Sequence, residues 1–154
     1  MRVFKVVRKF AGDVFTSCVV HDYTDVALYY RLNERTVAKR GTAGVLVFTN
    51  LQDAENFASD QERYVDYYIL HCGSCGEVLR VRRLIQHHLS RDYVIPNYSR
   101  RKILRKFSNP KYYMLAPPGS YSVSSVVPIK CVGKFVSNRK VEDDDEDDDK
   151  ALNP

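Results

Sequence analysis

The chain has 154 residues and a mass of 17.8 kDa, which is the size of a single globular domain. Hydrophobic residues make up 44% of it, which excludes a chain that is disordered throughout, and no apolar run is long enough to cross a membrane. The formal net charge of +5 is divided unevenly, because residues 1–141 carry a net charge of +12 and residues 142–154 carry −7.

The first third of the chain predicts short strands joined by turns. Alternating apolar residues predict strands over 2–10 and 14–20, and the turn at 11–13 joins them as a hairpin. A third strand is predicted over 26–32. Residues 33–44 are polar and basic, and they predict a loop or a short strand that ends in a turn.

The clearest local pattern is an apolar strand followed by an amphipathic helix. Residues 44–48 form a continuous apolar run that is typical of a buried central strand. Thr49 and Asn50 are suited to cap a helix over 51–59. The apolar residues of that helix recur at helical spacing, and they are Leu51, Ala54, Phe57 and Ala58.

The second half of the chain mixes clear and ambiguous segments. A strand is predicted over 64–71, whereas residues 77–89 fit either a strand or a helix. A basic helix is predicted over 99–107, with Ser99 as its cap. A rigid Pro-Pro-Gly turn at 116–119 is followed by two closing strands, predicted over 120–127 and 129–136.

Strands outnumber helices and do not alternate with them, which predicts the α+β class rather than a doubly wound fold. We expect a mixed, largely antiparallel sheet, with a short helix after a central strand and one or two further helices in a basic insert. The globular domain is expected over residues 1–141, with the insert at 72–110, and the tail 142–154 is expected to be disordered.

The tail and the body of the chain carry opposite charges. Residues 142–149 are eight consecutive carboxylates, which repel one another and cannot form a core. The body is a polycation, which attracts phosphate backbones, anionic lipid headgroups or acidic protein surfaces. Two roles for the tail are therefore considered, as a solubilising segment and as a competitor that folds back on the basic surface.

Two cysteines spaced as Cys72-x-x-Cys75 form the sharpest motif, and the glycines inside and after it match half of a zinc ribbon. The second half of such a site is missing, and the candidates to complete it are Cys18, His21, His87, His88 and Cys131. The alternatives are a redox pair or plain cysteines in a turn, and a turn suits a motif that follows a strand. Zinc is the one cofactor considered, and free thiols predict a reducing, intracellular compartment.

A basic stretch follows the cysteine motif and is interleaved with aromatic residues, among them Tyr93, Tyr98 and Tyr112. Arginine side chains grip phosphates and exposed aromatic rings stack on unpaired bases, so this stretch is a candidate polyanion-binding site. The alternatives are a solvated basic face and a face that docks onto an acidic protein surface. The candidate binding residues are Arg80, Arg82, Arg83, Arg91, Arg100, Arg101, Lys102, Arg105 and Lys106.

No catalytic signature is present in the sequence. The chain has no P-loop, no Gly-x-Ser-x-Gly, no dinucleotide-binding glycine pattern and no His-Glu-x-x-His. Acidic residues are scarce between Tyr67 and Val141, where only Glu77 and Asp92 occur. No catalytic residue is therefore assigned, and a binding or structural module is favoured over an enzyme.

Three segments resemble a group of small proteins from phages and large DNA viruses. They are the opening strand Val3–Val7, the strand and helix Gly44–Ala58, and the turn Ala116–Ser120 with the strand Val126–Val136 that follows it. The resemblance implies a non-enzymatic viral module, a minor component of the virion, that docks through its basic face onto nucleic acid or acidic surfaces of other virion proteins. A nucleic-acid-binding accessory protein with zinc at the cysteine motif is the alternative.

The same arrangement is similar to the sheet of ADP-ribosyltransferases, in which a strand leads into a short helix of this kind. These enzymes use a glutamate on a late strand to orient the nicotinamide ribose and to stabilise the cationic transition state. This chain has no Glu or Asp from Lys111 to Val141, so the resemblance implies the fold without that residue. An ADP-ribosyltransferase-like enzyme is the second alternative.

Overall fold

The computed structural model of the chain describes residues 1–18, 27–61, 63–85, 98–106 and 113–138. Within these residues nine strands form one sheet, two strands form a separate ladder, and two helices are present. The pairings between the described strands are antiparallel, and a short helix follows an interior strand, so the α+β prediction is confirmed. The residues named in the predictions that lie outside the described residues are His21, His87, His88, Arg91, Tyr93, Tyr112 and the tail 142–154.

The main sheet is built from strands β1 to β7 and from the last two strands of the described chain. In chain order these are β1 (Arg2–Ala11), β2 (Val14–Ser17), β3 (Tyr29–Tyr30), β4 (Thr36–Val37), β5 (Val45–Phe48), β6 (Tyr67–Cys75), β7 (Leu79–Arg80), β10 (Ser120–Val123) and β11 (Ser125–Phe135). Their spatial order is β4-β11-β6-β1-β5-β10-β7, and β2 pairs with both β1 and β3. The separate ladder pairs β8 (Arg83–Ile85) with β9 (Tyr113–Leu115).

The two helices are α1 (Leu51–Asp60) and α2 (Arg100–Lys106). Helix α1 begins where predicted, because the Asn50 side chain accepts a hydrogen bond of 2.7 Å from the backbone N–H of Gln52 and so caps the helix. The helix buries Ala54 and Ala58 against the sheet. Among the described residues no helix is long and apolar enough to cross a membrane.

Strand β1 contributes to both faces of the sheet, because successive side chains of a strand point to opposite sides. Val3 and Val7 belong to one buried cluster, which also holds residues of β5, β6 and β10. Phe4 and Val6 belong to a second buried cluster, in which α1 covers the sheet. The protein therefore has a core on each face of its sheet, and β1 joins the two.

Strand β1 also shares one of its edges between two partner strands. Strand β6 pairs along the whole of the other edge, from Arg2 to Arg8. On the shared edge, β5 pairs with β1 at Phe4, whereas β2 pairs with it from Val7 onward. The sheet therefore forks between these two points, and β5 leads away to β10 and β7 while β2 leads to β3.

Lys5 lies at this fork and is almost completely buried, with 5% of its surface exposed. Its Nζ donates a hydrogen bond of 2.8 Å to the backbone oxygen of Leu46 in β5, and it lies 5.7 Å from the centroid of the Tyr30 ring. The ammonium group is removed from solvent, and these contacts give it a hydrogen-bond acceptor and an aromatic ring in place of water. Lys5 thus spans the opening between β1 and β5.

Burial controls the ionisation of the groups around Lys5. Desolvation lowers the pKa of the Lys5 ammonium, and the nearby Cys18 and Cys72 thiols oppose that shift. Burial also raises the pKa of Cys18 to about 11 and that of Cys72 to about 12, and in both cases the charge of Lys5 acts in the opposite direction. Both thiols therefore stay neutral at physiological pH.

Several predicted strand limits are wrong. The strand expected over 26–32 is reduced to Tyr29–Tyr30, and β6 begins at Tyr67 instead of residue 64. The closing strands divide at Ser124 and not at Pro128, which lies inside β11 at a shift of register with β6. Proline is tolerated in a strand at such a bulge, because the backbone N–H that it lacks is not needed there.

Replacing Lys5 with Met should change how the stability of the protein depends on pH. A lysine whose pKa is lowered by folding binds more protons when unfolded, so the wild-type free energy of unfolding should rise with pH toward the unfolded pKa near 10.5. That gain should fade as the pH falls through the folded-state pKa. Urea unfolding of Lys5→Met and the wild-type protein, measured from pH 7 to pH 10.5, checks this.

The comparison cancels most of the titration of Cys18 and Cys72, because both proteins contain these thiols and burial keeps their folded-state pKa values at about 11 and about 12, above this window. The difference in the free energy of unfolding, wild type minus Lys5→Met, should increase with pH across this window. A difference that stays constant with pH would show that the buried ammonium does not titrate differently in the folded and unfolded chains.

Candidate functional site: a basic cleft beside helix α2

A cleft with a volume of about 390 Å³ opens where the loop before β5 faces the start of α2. Three of its lining residues are cationic, and three carry hydroxyl groups from Ser or Thr. None of the lining residues that the structure describes carries a carboxylate. The lining residues are Val37, Ala38, Lys39, Arg40, Gly41, Thr42, Gly44, Tyr98, Ser99, Arg100 and Ser124.

The loop that forms one wall of the cleft is held by its own backbone and by Thr42. The backbone N–H of Ala38 donates to the oxygen of Ser124 at 2.9 Å, which ties the loop to the sheet. The Thr42 hydroxyl donates to the Lys39 oxygen at 2.6 Å, and this closes a tight turn. Gly41 completes the turn with a φ of 78°, a left-handed conformation that favours glycine.

Arg100 joins the other wall of the cleft to the sheet. Its guanidinium donates to the Ser122 backbone oxygen at 2.6 Å and to the Ser122 hydroxyl at 3.1 Å. It also donates to the Glu77 backbone oxygen at 2.5 Å. These bonds attach α2 to β10 and to the segment before β7, so Arg100 has a structural task as well as a charge.

Arg100 reaches Ser122 by crossing the backbone at Gly44. A Cβ placed on Gly44 would lie 2.5 Å from the Arg100 Cδ atom and 2.9 Å from the Val123 backbone oxygen. Gly44 also has a φ of 91°, which a residue with a side chain rarely adopts. The close approach of the two walls therefore depends on glycine at position 44.

The remaining residues of α2 divide between internal contacts and solvent. Arg101 forms an ion pair with the Glu77 carboxylate, and the Lys102 ammonium lies 5.9 Å from the centroid of the Tyr98 ring. Ile103 is buried, with 1% of its surface exposed, and anchors the helix on its apolar side. Arg105 is exposed. Arg101, Lys102 and Arg105 are therefore exposed on the helix, whereas Arg100, expected on the same outward face, is turned toward the sheet.

The other predicted polyanion-binding residues lie on nearby strands. Arg80 is exposed in β7, at the edge of the main sheet, where it lies opposite Tyr121 of β10. Arg82 is exposed just after β7, and Arg83 begins β8. Lys106 is the last residue of α2. Arg100 bonds to the segment before β7, so Arg80 and the start of α2 lie at the same edge of the sheet. Arg80 pairs with Tyr121, however, and so points to the face opposite to Ser122, the residue that Arg100 bonds.

Sequence reasoning missed Lys39 and Arg40, which line the cleft opposite α2. The predicted site covered residues 80–106, and these two cations are far from that stretch along the chain. A usable signal was present, because two adjacent cations precede a glycine and a threonine, a combination that suits an exposed tight turn. Their partnership with α2 depends on tertiary structure and has no local signal.

The cysteine motif lies in a strand and not in the turn that was expected. Strand β6 continues through Cys75, with β1 on one side and β11 on the other. Cys72 is buried and Cys75 is exposed, as expected for residues three apart in a strand. The thiol of Cys75 accepts a contact of 3.7 Å from the Arg35 guanidinium.

The structure therefore does not bring the two motif thiols to one side of the strand. It does bring Cys18 and Cys72 close to Lys5, although an ammonium group there would repel a metal cation. Among the described residues no three His, Cys, Asp or Glu side chains form a group that could hold a metal ion. The zinc hypothesis also involves His21 and His87, and it stays a prediction.

No family model, no curated protein and no solved structure matches the chain. The resemblance to phage and large-virus proteins therefore stays a prediction, and the function has to be argued from the geometry of the cleft.

Replacing Gly44 with Ala should destabilise the protein by at least about 2 kcal/mol, because the new methyl group meets Arg100 and the backbone stays left-handed. Gly12→Ala is the matched control, because Gly12 is also left-handed, with a φ of 55°, and a Cβ there meets nothing within 4 Å. That control carries the backbone strain alone and should lower the free energy of unfolding by about 1 kcal/mol. Urea unfolding followed by circular dichroism measures both, and equal effects would contradict the close packing of Arg100 and Ser122 around Gly44.

Proposed function

We propose that this protein is a non-enzymatic docking module that binds an anionic macromolecule through the basic cleft. One observation carries the proposal, namely that Lys39, Arg40 and Arg100 line a single cleft and that none of its described lining residues carries a carboxylate. Cations brought together in a partly enclosed space create a positive potential, which attracts an anion.

Exposed cations on α2 extend the same positive field. Lys102 and Arg105 are exposed on this helix, whereas Arg80 and Arg82 are exposed in or just after β7, at the edge of the sheet. Glu77 is the acidic residue nearest to α2 among the described residues, and its carboxylate pairs with Arg101. A polyanion longer than the cleft could therefore contact several further cations, which favours a macromolecule over a small anion.

The alternatives have less support. An ADP-ribosyltransferase-like enzyme would need an acidic residue on a late strand, and β10 and β11 contain neither Glu nor Asp. A zinc-stabilised element at Cys72 and Cys75 has no additional observation in its favour. The viral context, with other virion proteins or packaged nucleic acid as partners, is compatible with docking and stays part of the hypothesis.

Removing the two loop cations should weaken binding and lower its dependence on salt. The test uses Lys39→Gln combined with Arg40→Gln and two labelled probes, a 20-nucleotide oligothymidylate and poly-glutamate. We expect the wild-type protein to bind at least one probe, with an affinity that falls steeply as salt rises. The double variant should reduce the slope of log affinity against log salt by about one to two. Fluorescence anisotropy between 20 and 200 mM salt measures both quantities.

The control is Lys130→Gln combined with Lys134→Gln, which removes the same charge from β11. Both lysines are exposed, and Lys130 is six residues along the chain from Ser124 of the cleft, about 20 Å in an extended strand. The control should keep the wild-type slope. If neither probe binds, or if both double variants weaken binding equally, the cleft is not the docking site.

A further inference from the structure

The cleft contains an aromatic residue as well as cations. Tyr98 lines it next to Ser99 and Arg100, and 36% of its surface is exposed. The Lys102 ammonium lies over one face of its ring, 5.9 Å from the centroid, so a flat ligand that stacks on Tyr98 uses the opposite face and has a positive charge behind the ring. An acidic peptide would gain from the cations, but it would gain little from an aromatic surface.

The size of the cleft also limits what can enter. Its volume of about 390 Å³ lies in the lower part of the range for small-ligand sites. An α-helix, with a diameter of about 10 Å or more including side chains, is too wide to be accommodated as a whole. A single unpaired nucleotide offers a flat apolar base and a charged phosphate within a space of this order.

The two walls are built before any ligand arrives. The Ala38–Ser124 bond and the turn closed by Thr42 hold the loop, and the three hydrogen bonds of Arg100 hold the start of α2. Binding therefore does not need to order either wall, which lowers its entropic cost. Lys39 and Arg40 lie in the loop wall, and Tyr98 lies in the wall next to α2.

We propose that the cleft binds one unpaired nucleotide of a single-stranded nucleic acid, with its phosphate against Lys39 and Arg40 and its base stacked on Tyr98. This inference rests on the proposed docking function and names the partner for the same cleft. Binding is sequence-tolerant, because every base has a flat face that can stack. It discriminates against duplexes, whose bases are already stacked on one another.

Tyr98→Leu removes the ring and keeps an apolar side chain. It should lower the affinity for oligothymidylate by about 5- to 100-fold, which is the usual effect of losing one stacked base. Tyr98→Phe should keep the affinity within about threefold, because the ring remains. Tyr64→Leu is the matched control, since Tyr64 is 72% exposed and lies outside the cleft. Urea unfolding confirms that each variant is folded.

A spectroscopic measurement separates stacking from a merely structural role. The chain contains no tryptophan, so Tyr98→Trp introduces a single indole into the cleft. Oligothymidylate should quench its fluorescence in a saturable way, whereas Tyr64→Trp should show no quenching. Poly-glutamate should leave both signals unchanged, and a duplex of the same length should bind more weakly than the single strand.

Each result distinguishes this inference from the docking function on which it rests. If Tyr98→Leu binds like the wild type while the Lys39 and Arg40 variant binds more weakly, docking stands and stacking is wrong. If the protein binds poly-glutamate but not oligothymidylate, its partner is an acidic protein surface, and the nucleotide site is wrong. If it binds neither, both proposals fail.

Discussion

The shared edge of β1 is the constraint on which the rest of the structure depends. Strands β2 and β5 both pair with that edge, and the sheet can fork there only if the polar groups exposed between them find partners. Lys5 meets part of this need, because its ammonium bonds to the Leu46 oxygen of β5. Strand β5 pairs with β10, and Ser122 of β10 accepts the hydrogen bonds from Arg100 that hold α2 on the sheet. The position of the basic helix therefore depends, through three successive contacts, on a buried lysine in the first strand.

The cleft is a consequence of this arrangement and is not encoded by any one segment. One wall comes from the loop between β4 and β5, and the other comes from the start of α2, some sixty residues later in the chain. Gly44 and Arg100 are the point at which the two walls meet, and the close approach there leaves no room for a side chain at position 44. Arg100 is committed to backbone and hydroxyl acceptors, whereas Lys39 and Arg40 lie in the opposite wall.

The sequence allowed the fold class and the local elements to be predicted wherever one pattern dominated. The apolar run Val45–Phe48, the Asn50 cap and helix α1 follow from short-range chemistry, and all three were found where expected. The cysteine motif was misjudged because its glycines suggested a turn, although pairing on both sides keeps Gly73 in an extended strand. The sequence predicts a strand boundary at Pro128, but a bulge accommodates this proline inside β11. The cleft was beyond local reasoning, because the alignment of Lys39 and Arg40 with α2 is set by the order of strands in the sheet.

The position of the acidic run relative to the cleft limits how the tail can compete with a ligand. The cleft includes Ser124, which lies just before β11. The described residues end at Asn138, beyond the other end of β11, where the Asn138 side chain accepts a hydrogen bond from the backbone N–H of Arg63. Eleven residues of extended strand span about 33 Å. Glu142 is four residues past Asn138 and Asp149 is eleven residues past it, so their reach is at most about 14 Å and about 40 Å. Only the last carboxylates of the run could approach the cleft of the same molecule.

The other carboxylates of the run act on the cleft through space, over a screening length of about 30 Å at 0.01 M salt but only about 8 Å at 0.15 M. Competition within one chain is therefore mainly a low-salt effect, and at physiological salt the tail has its strongest influence on the cations near the end of β11 or on neighbouring molecules.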